Sequence, residues 1–108
     1  MPNTFTSYVN KDVGTSAATV VTVGASTQTT VIGMSVANTT SSPITVNAYI
    51  TRSGVDYYLI ETATVPVGSS LVIVGGDQKV VLITSDALKV VSSAASSADV
   101  VTSVLNIT

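Results

Sequence analysis

Along most of this chain apolar and polar residues alternate one for one, which is the period of a pleated strand and not of a helix. In "TVIGMSVANTT", Ile32, Met34 and Val36 alternate with Val31, Gly33, Ser35 and Ala37, predicting a strand with one bulky and one small face. After the turn formers of "NTTSSP", closed by Pro43, "ITVNAYIT" alternates again. Ile44, Val46, Ala48 and Ile50 are expected inward, and Thr45, Asn47, Tyr49 and Thr51 outward. In "RSGVDYYLIE", Ser53 and Gly54 separate two strand-like runs as a hairpin turn would, since glycine reaches the positive φ such turns need. Val55, Tyr57 and Leu59 then share one side of the next strand, and the adjacent Tyr57 and Tyr58 point to opposite faces, one of them toward the core.

Pro66 and Gly68 in "TVPVGSS" mark a further break. "LVIV" and "VVLI" flank "GGDQK", and their unbroken apolar character predicts strands covered on both faces, or on one face by a partner subunit. A phosphate-cradling loop would need a helix behind the glycines, but Val80, Val81, Leu82 and Ile83 favour a strand, and no G-x-x-x-x-G-K-[ST] or G-x-G-x-x-G pattern occurs. Gly75, Gly76 and Asp77 are therefore expected to form a bend between strands. "LKVVSS" and "DVVTSVLNIT" complete the series, separated by "SSAASSA", which has no apolar stripe and reads as a loop with room for one helical turn. With Tyr8 to Val13 and Thr19 to Val23 the pattern gives about eight or nine short strands. The fold class expected is all-β, a single antiparallel β-sandwich, jelly-roll or immunoglobulin-like, spanning 1–108 with an extended N-terminal arm at 1–7.

Composition agrees with a packed sheet protein and removes several functions. Hydrophobic residues make up 45% and charged residues only 9% of the 108 positions, with mean hydropathy +0.56 and net charge -2. Disorder requires the opposite balance. Lys11, Arg52, Lys79 and Lys89 are the only cations, too few for a basic stripe that would bind a nucleic acid backbone directly. The opening "MPNTFTSYVNKDVG" lacks the charged start and apolar core of a secretory signal, and no apolar run approaches membrane-span length, so no membrane partner is expected.

Candidate chemistry is sparse. Neither cysteine nor histidine occurs, so thiolate nucleophiles, zinc thiolates and the imidazole relay of a triad are absent. Asp12, Asp56, Glu61, Asp77, Asp86 and Asp99 could in principle pair as acid and base, but none stands in a recognisable motif. Asp12, Asp77, Asp86 and Asp99 lie within two residues of glycine or serine, where aspartate caps turn backbone. No catalytic residue, cofactor or metal site is expected. Arg52 and Asp56 flank the hairpin and are expected to form a solvent-screened pair. Tyr49 and Tyr58 can be a cross-strand pair that stiffens the sheet, or a surface that stacks on a sugar or a protein. Tyr49, Tyr58, Arg52 and Asp77 are thus the candidates for partner contact.

An isolated sheet protein blunts its edges with charge or proline, and this chain has few such residues. Strands as apolar as "LVIV", "KVVLI" and "DVVTSVL" predict faces covered by assembly, as in a homo-oligomer or a lattice.

"KDVGTSAATVVTV", "TVIGMSVANTTSSPITVNAYITRSGVDYYLI", "VPVGSSLVIVGGDQKVVLITSDALKVVSS" and the closing "SVLNI" resemble small virion proteins of tailed bacteriophages, particularly marine and cyanobacterial phages. The specific parts are the N-T, P-x-G and G/S-D-x-l-x-V landmarks in "VANTTSSPITV", "VPVGSSLVIVGGDQKVVL" and "TSDALKVVSS", with Ser85 standing where glycine is common. The resemblance implies a structural β-sandwich of the virion, made in the host cytoplasm. It would be a capsid decoration or cement protein bound to the major capsid protein, or a tail component bound to tail proteins, self-associated as a trimer. A carbohydrate-binding adhesion module is the alternative of a different class.

Overall fold

The computed structural model describes residues 3–75 and 79–108. Valine and threonine, whose branched Cβ fits a pleated surface, place the chain in nine strands among the described residues. These are β1 (Asn3–Val13), β2 (Ala18–Thr22), β3 (Gln28–Asn38), β4 (Ile44–Arg52), β5 (Val55–Val65), β6 (Ser70–Val74), β7 (Val80–Leu82), β8 (Ala87–Ser92) and β9 (Ala98–Ile107). One sheet has the order β1-β9-β3-β6 with β7 also paired to β3, and the other has the order β2-β8-β4-β5. All pairs are antiparallel. The chain crosses between sheets at nearly every connection, and this strand order is that of a jelly roll, which decides between the two sandwich types expected. Residues 3–7, expected in an arm, form the first half of β1 and pair with β9 from Ser103 to Ile107. Among the described residues no helix is long and apolar enough to cross a membrane.

Inward-facing residues of both sheets meet in one core that includes Val31, Met34, Val36, Val46, Val65, Leu82, Leu88, Val90, Val100 and Val104. Ile44, Val46 and Ala48 face inward as their alternation predicts. β3 departs from its predicted phase. Ile32 was expected beside Met34 and Val36, but Val31 is fully buried and Ile32 only half-buried. The register with β9 shifts between Val31 and Gly33, and the bulge there moves one residue out of the alternation. Thr29 and Val31 therefore point inward before the bulge, and Met34, Val36 and Asn38 after it.

β6 and β7 lie end to end along one side of β3: Leu71 pairs with Val36 and Val80 with Val31. Gly76 and Asp77 of the expected bend lie outside the described residues. "LVIV" is covered on one face only: Ile73 and Val74 are buried and Val72 is exposed.

Three stretches singled out in the sequence, around Asn38, Pro66 and Ser85, fall in turns. Ser53 and Gly54 both have positive φ, 54° and 78°, the signature of a two-residue type I′ hairpin. In "PVGS", Ser69 N–H donates to the Pro66 carbonyl at 3.2 Å and Gly68 has φ 69°, as the third residue of a type II turn requires. Asn38 is almost fully buried, and its side-chain amide donates to the Ser42 and Val65 carbonyls at 2.8 and 3.1 Å. Its Oδ1 accepts from the Thr40 N–H and hydroxyl, so every polar atom of this side chain is used to tie the β3–β4 connection to the end of β5. Ser85 has φ 73°, a left-handed conformation that glycine adopts at less cost. The "SSAASSA" separator is a non-helical turn.

Candidate functional site

Tyr49 and Tyr58 come together. They are directly paired across β4 and β5 on the outer face of the four-stranded sheet, with ring centroids 5.0 Å apart and planes tilted by 39°. Burial, with the nearby Asp56 carboxylate second, raises the Tyr49 hydroxyl pKa above its ordinary value. Tyr57 and Tyr58 do point to opposite faces, but both are exposed, at 56% and 49%, so neither enters the core. The reason is position: Tyr57 stands in one row with Ile50 and the buried Leu88, but on the edge strand β5, where alternation no longer means burial.

Arg52 is not paired with Asp56. Its Nε and Nη2 donate to the two carboxylate oxygens of Asp86 at 2.9 and 2.6 Å, while Asp56 accepts the Thr51 hydroxyl at 2.7 Å. Arg52 lies on the opposite face of β4 from Thr51, so its fork turns inward to the β7–β8 turn and away from its sequence neighbour. Asp86 is 1% exposed and also accepts the Ile83 N–H at 2.9 Å. The Arg52 hydrogen bonds hold the Asp86 carboxyl below its ordinary pKa, and Arg52 is raised in turn. The guanidinium is thereby engaged in holding a turn. Tyr49 and Tyr58 stand together, Arg52 sits on the reverse of the same hairpin, and Asp77 lies outside the described residues.

The remaining acids are dispersed. Asp86 caps its turn as expected, whereas Asp12 and Asp99, also expected in turns, fall within β1 and β9. Asp99 accepts the Asp12 N–H at 3.0 Å, where β1 bulges, and pairs with Lys11 at 3.5 Å. Among the described residues no cluster of three or more acidic, histidine or cysteine side chains could hold a metal ion. A shallow cleft of about 370 Å³ opens beside Asn10, Asp12, Gly14 and Ala95, and a smaller one of about 240 Å³ lies beside Ile50, Arg52 and Tyr57.

The most extensive surface feature was not among the predicted site residues. On the outer face of the five-stranded sheet, Val9, Val101, Ser35 and Val72 lie side by side across four strands. Phe5, Leu105, Thr30 and Val81 form a second row, and Ser7, Ser103 and Gly33 lie between the two rows. Phe5 and Val9 are 74% and 72% exposed, and Val72, Val81 and Val101 are also largely bare. No charged side chain interrupts either row. The signal in the sequence was the lack of alternation in "LVIV" and "DVVTSVL", but only the pairing register assembles these residues into one patch.

No family model matches this sequence, and no curated protein matches it. Among solved structures, the chain is similar to a protein of Bacillus endospore appendages, described as a novel family of disulfide-linked pili, at 16% identity and TM-score 0.51, covering 98% of this chain and 88% of that one. A protein of the T13 IBDV viral particle overlaps it at 10% identity and TM-score 0.48, over 96% of this chain and 35% of the other. At 16% identity the likeness to the appendage protein is one of fold.

Proposed function

We propose that this chain is a non-enzymatic structural protein of a bacteriophage particle, a capsid decoration or cement protein that binds across capsid subunits. The observation that carries this reading is the pair of uncharged rows on the outer face of the five-stranded sheet, in which Phe5, Val9, Val72, Val81 and Val101 are exposed to solvent. At ~3.4 Å per residue and ~4.8 Å between strands, the two rows span on the order of 300 Å², the size of the largest patches on soluble proteins, which are often functional. Many copies, each attached weakly through such a face, would together clamp a shell against internal pressure. Jelly rolls also recur in viral capsids and lectins, which supports the reading by analogy. The chain has no cysteine, so any assembly it forms is held without the disulfides named for the endospore appendages.

The test is binding of purified protein to heads prepared without it. Saturable, stoichiometric co-sedimentation is expected, weakened by Val72→Lys or Val101→Lys. Absence of binding to heads, with binding to tails, would transfer the protein to the tail reading. A second reading rests on the exposed Tyr58 ring beside Tyr49, a surface on which a sugar can stack. Saturable glycan binding lost in Tyr58→Ala would favour an adhesion module.

A further inference from the structure

The edges of the two sheets are unequally protected. β5 carries Asp56 and Glu61 on its length and is kinked at Thr62, which has φ 54° and donates its N–H to the Asn47 side chain. β2 has only five residues, and the opposite edge of the five-stranded sheet is divided between β6, of five residues, and β7, of three. β1 has eleven residues, is strand-paired among the described residues on one side only, to β9, and from Asn3 to Asn10 contains neither a charge nor a proline. Asn3 to Ser7 are exposed on both faces. An edge of this kind presents a row of free backbone donors and acceptors to another strand.

We infer that β1 pairs antiparallel with β1 of a second copy, about a two-fold axis at Ser7, so that the five-stranded sheet runs on through both molecules. In that register Phe5 faces Val9 of the second copy and Val9 faces its Phe5, two aromatic–β-branched pairs made from the two most exposed large apolar side chains among the described residues. The apolar rows join: Phe5, Leu105, Thr30 and Val81 of one copy continue into Val9, Val101, Ser35 and Val72 of the other. No like charges meet, since Lys11 faces Asn3. On the inner side Thr4 of the second copy stands opposite Asn10. The Asn10 Oδ1 is buried with no hydrogen-bond partner among the described residues, and the Thr4 hydroxyl supplies a donor for it.

A second copy fits this edge better than the guarded β5 edge does, because self-pairing needs no complementary charge for Asp56 or Glu61. The contact is isologous and closes at two subunits, unlike the trimer implied by the resemblance. Its small area makes the dimer concentration-dependent. This pairing is independent of particle attachment: it is tested on purified protein alone, and its failure leaves the head-binding test untouched.

The chain has no cysteine, so a single introduced thiol reports on its own position. Residues directly opposite in an antiparallel pair have Cα atoms ~4.5–5.5 Å apart, within disulfide reach. At high micromolar concentration under mild oxidation, Ser7→Cys is expected to form a covalent dimer at least about tenfold faster than Thr64→Cys on the exposed β5 edge. Native mass spectrometry of the unmodified chain should show dimer, and Thr6→Lys, which sets a lysine opposite Tyr8 of the second copy, should return monomer with an unchanged thermal melt. Equal cross-linking of the two cysteine variants, an exclusively monomeric or trimeric chain, or a dimer indifferent to Thr6→Lys would each overturn the inference.

Discussion

Arg52 and Asp86 are 34 positions apart, yet Arg52 Nη2 lies 2.6 Å from Asp86 Oδ2, and this pair locks the end of β4 onto the turn that leads into β8. The partner nearest in sequence, Asp56, is instead held by Thr51. Because Asp86 is buried and ionised, its loss leaves the Ile83 N–H without an acceptor. Asp86→Ala should destabilise the fold by about 2 kcal/mol in urea unfolding.

The same pair sets a direction for acid stability. The folded pKa of Asp86 lies below its unfolded value, so the native state holds the proton less tightly than the unfolded chain. Its contribution is complete above the ordinary aspartate pKa of ~3.9 and is lost as pH falls through the lower folded value. Urea midpoints measured from neutral pH downward should fall more steeply below about pH 4 in the unmodified chain than in Asp86→Asn, which cannot titrate at this site.

Asn38 makes a larger demand. Its amide serves two carbonyls and its oxygen two donors, all at the junction of β3, β4 and β5. Asn38→Ala removes the network and leaves the Val65 carbonyl unpaired beneath the sheet. A loss of about 3 kcal/mol is expected from denaturant titration.

Ser85 allows a gain. A non-glycine residue in the left-handed region costs about 1 kcal/mol, and Ser85 is held there by the Ser85 N–H to Val23 carbonyl bond at 3.0 Å. Ser85→Gly should therefore raise stability by up to about 1 kcal/mol, and a lower urea midpoint would show that the serine is better accommodated than its backbone implies.

Leu88 is fully buried at the centre of the four-stranded sheet, where it faces Ile50 and Val21 on its neighbours. Leu88→Ala should cost about 3 kcal/mol, and a loss under about 1 kcal/mol would mean that the core collapses around the vacancy.

Much of the sandwich was legible because Ile44, Val46 and Ala48 alternate without interruption and Ser53-Gly54 is a specific turn signal. The phase of β3 was not, since a bulge at Ile32 follows from how β9 lies beside it and leaves no mark in local composition. Arg52 failed for a related reason: alternation gives the side of the strand, but only the opposing sheet reveals what waits there. The tyrosines were read as a pair correctly, while the exposure of Tyr57 depends on β5 being an edge strand, which only the sheet order reveals. As for the apolar rows, each residue was visible in isolation, and their alignment is a property of register among strands far apart in the chain.

The position of β9 has a consequence for biogenesis. This strand is inserted between β1 and β3, so those two strands, made before it, have no common neighbour until β9 has left the ribosome. Nascent chains must therefore keep their valine-rich segments from mispairing in the interval, and the five-stranded layer closes only once translation has passed Ile107.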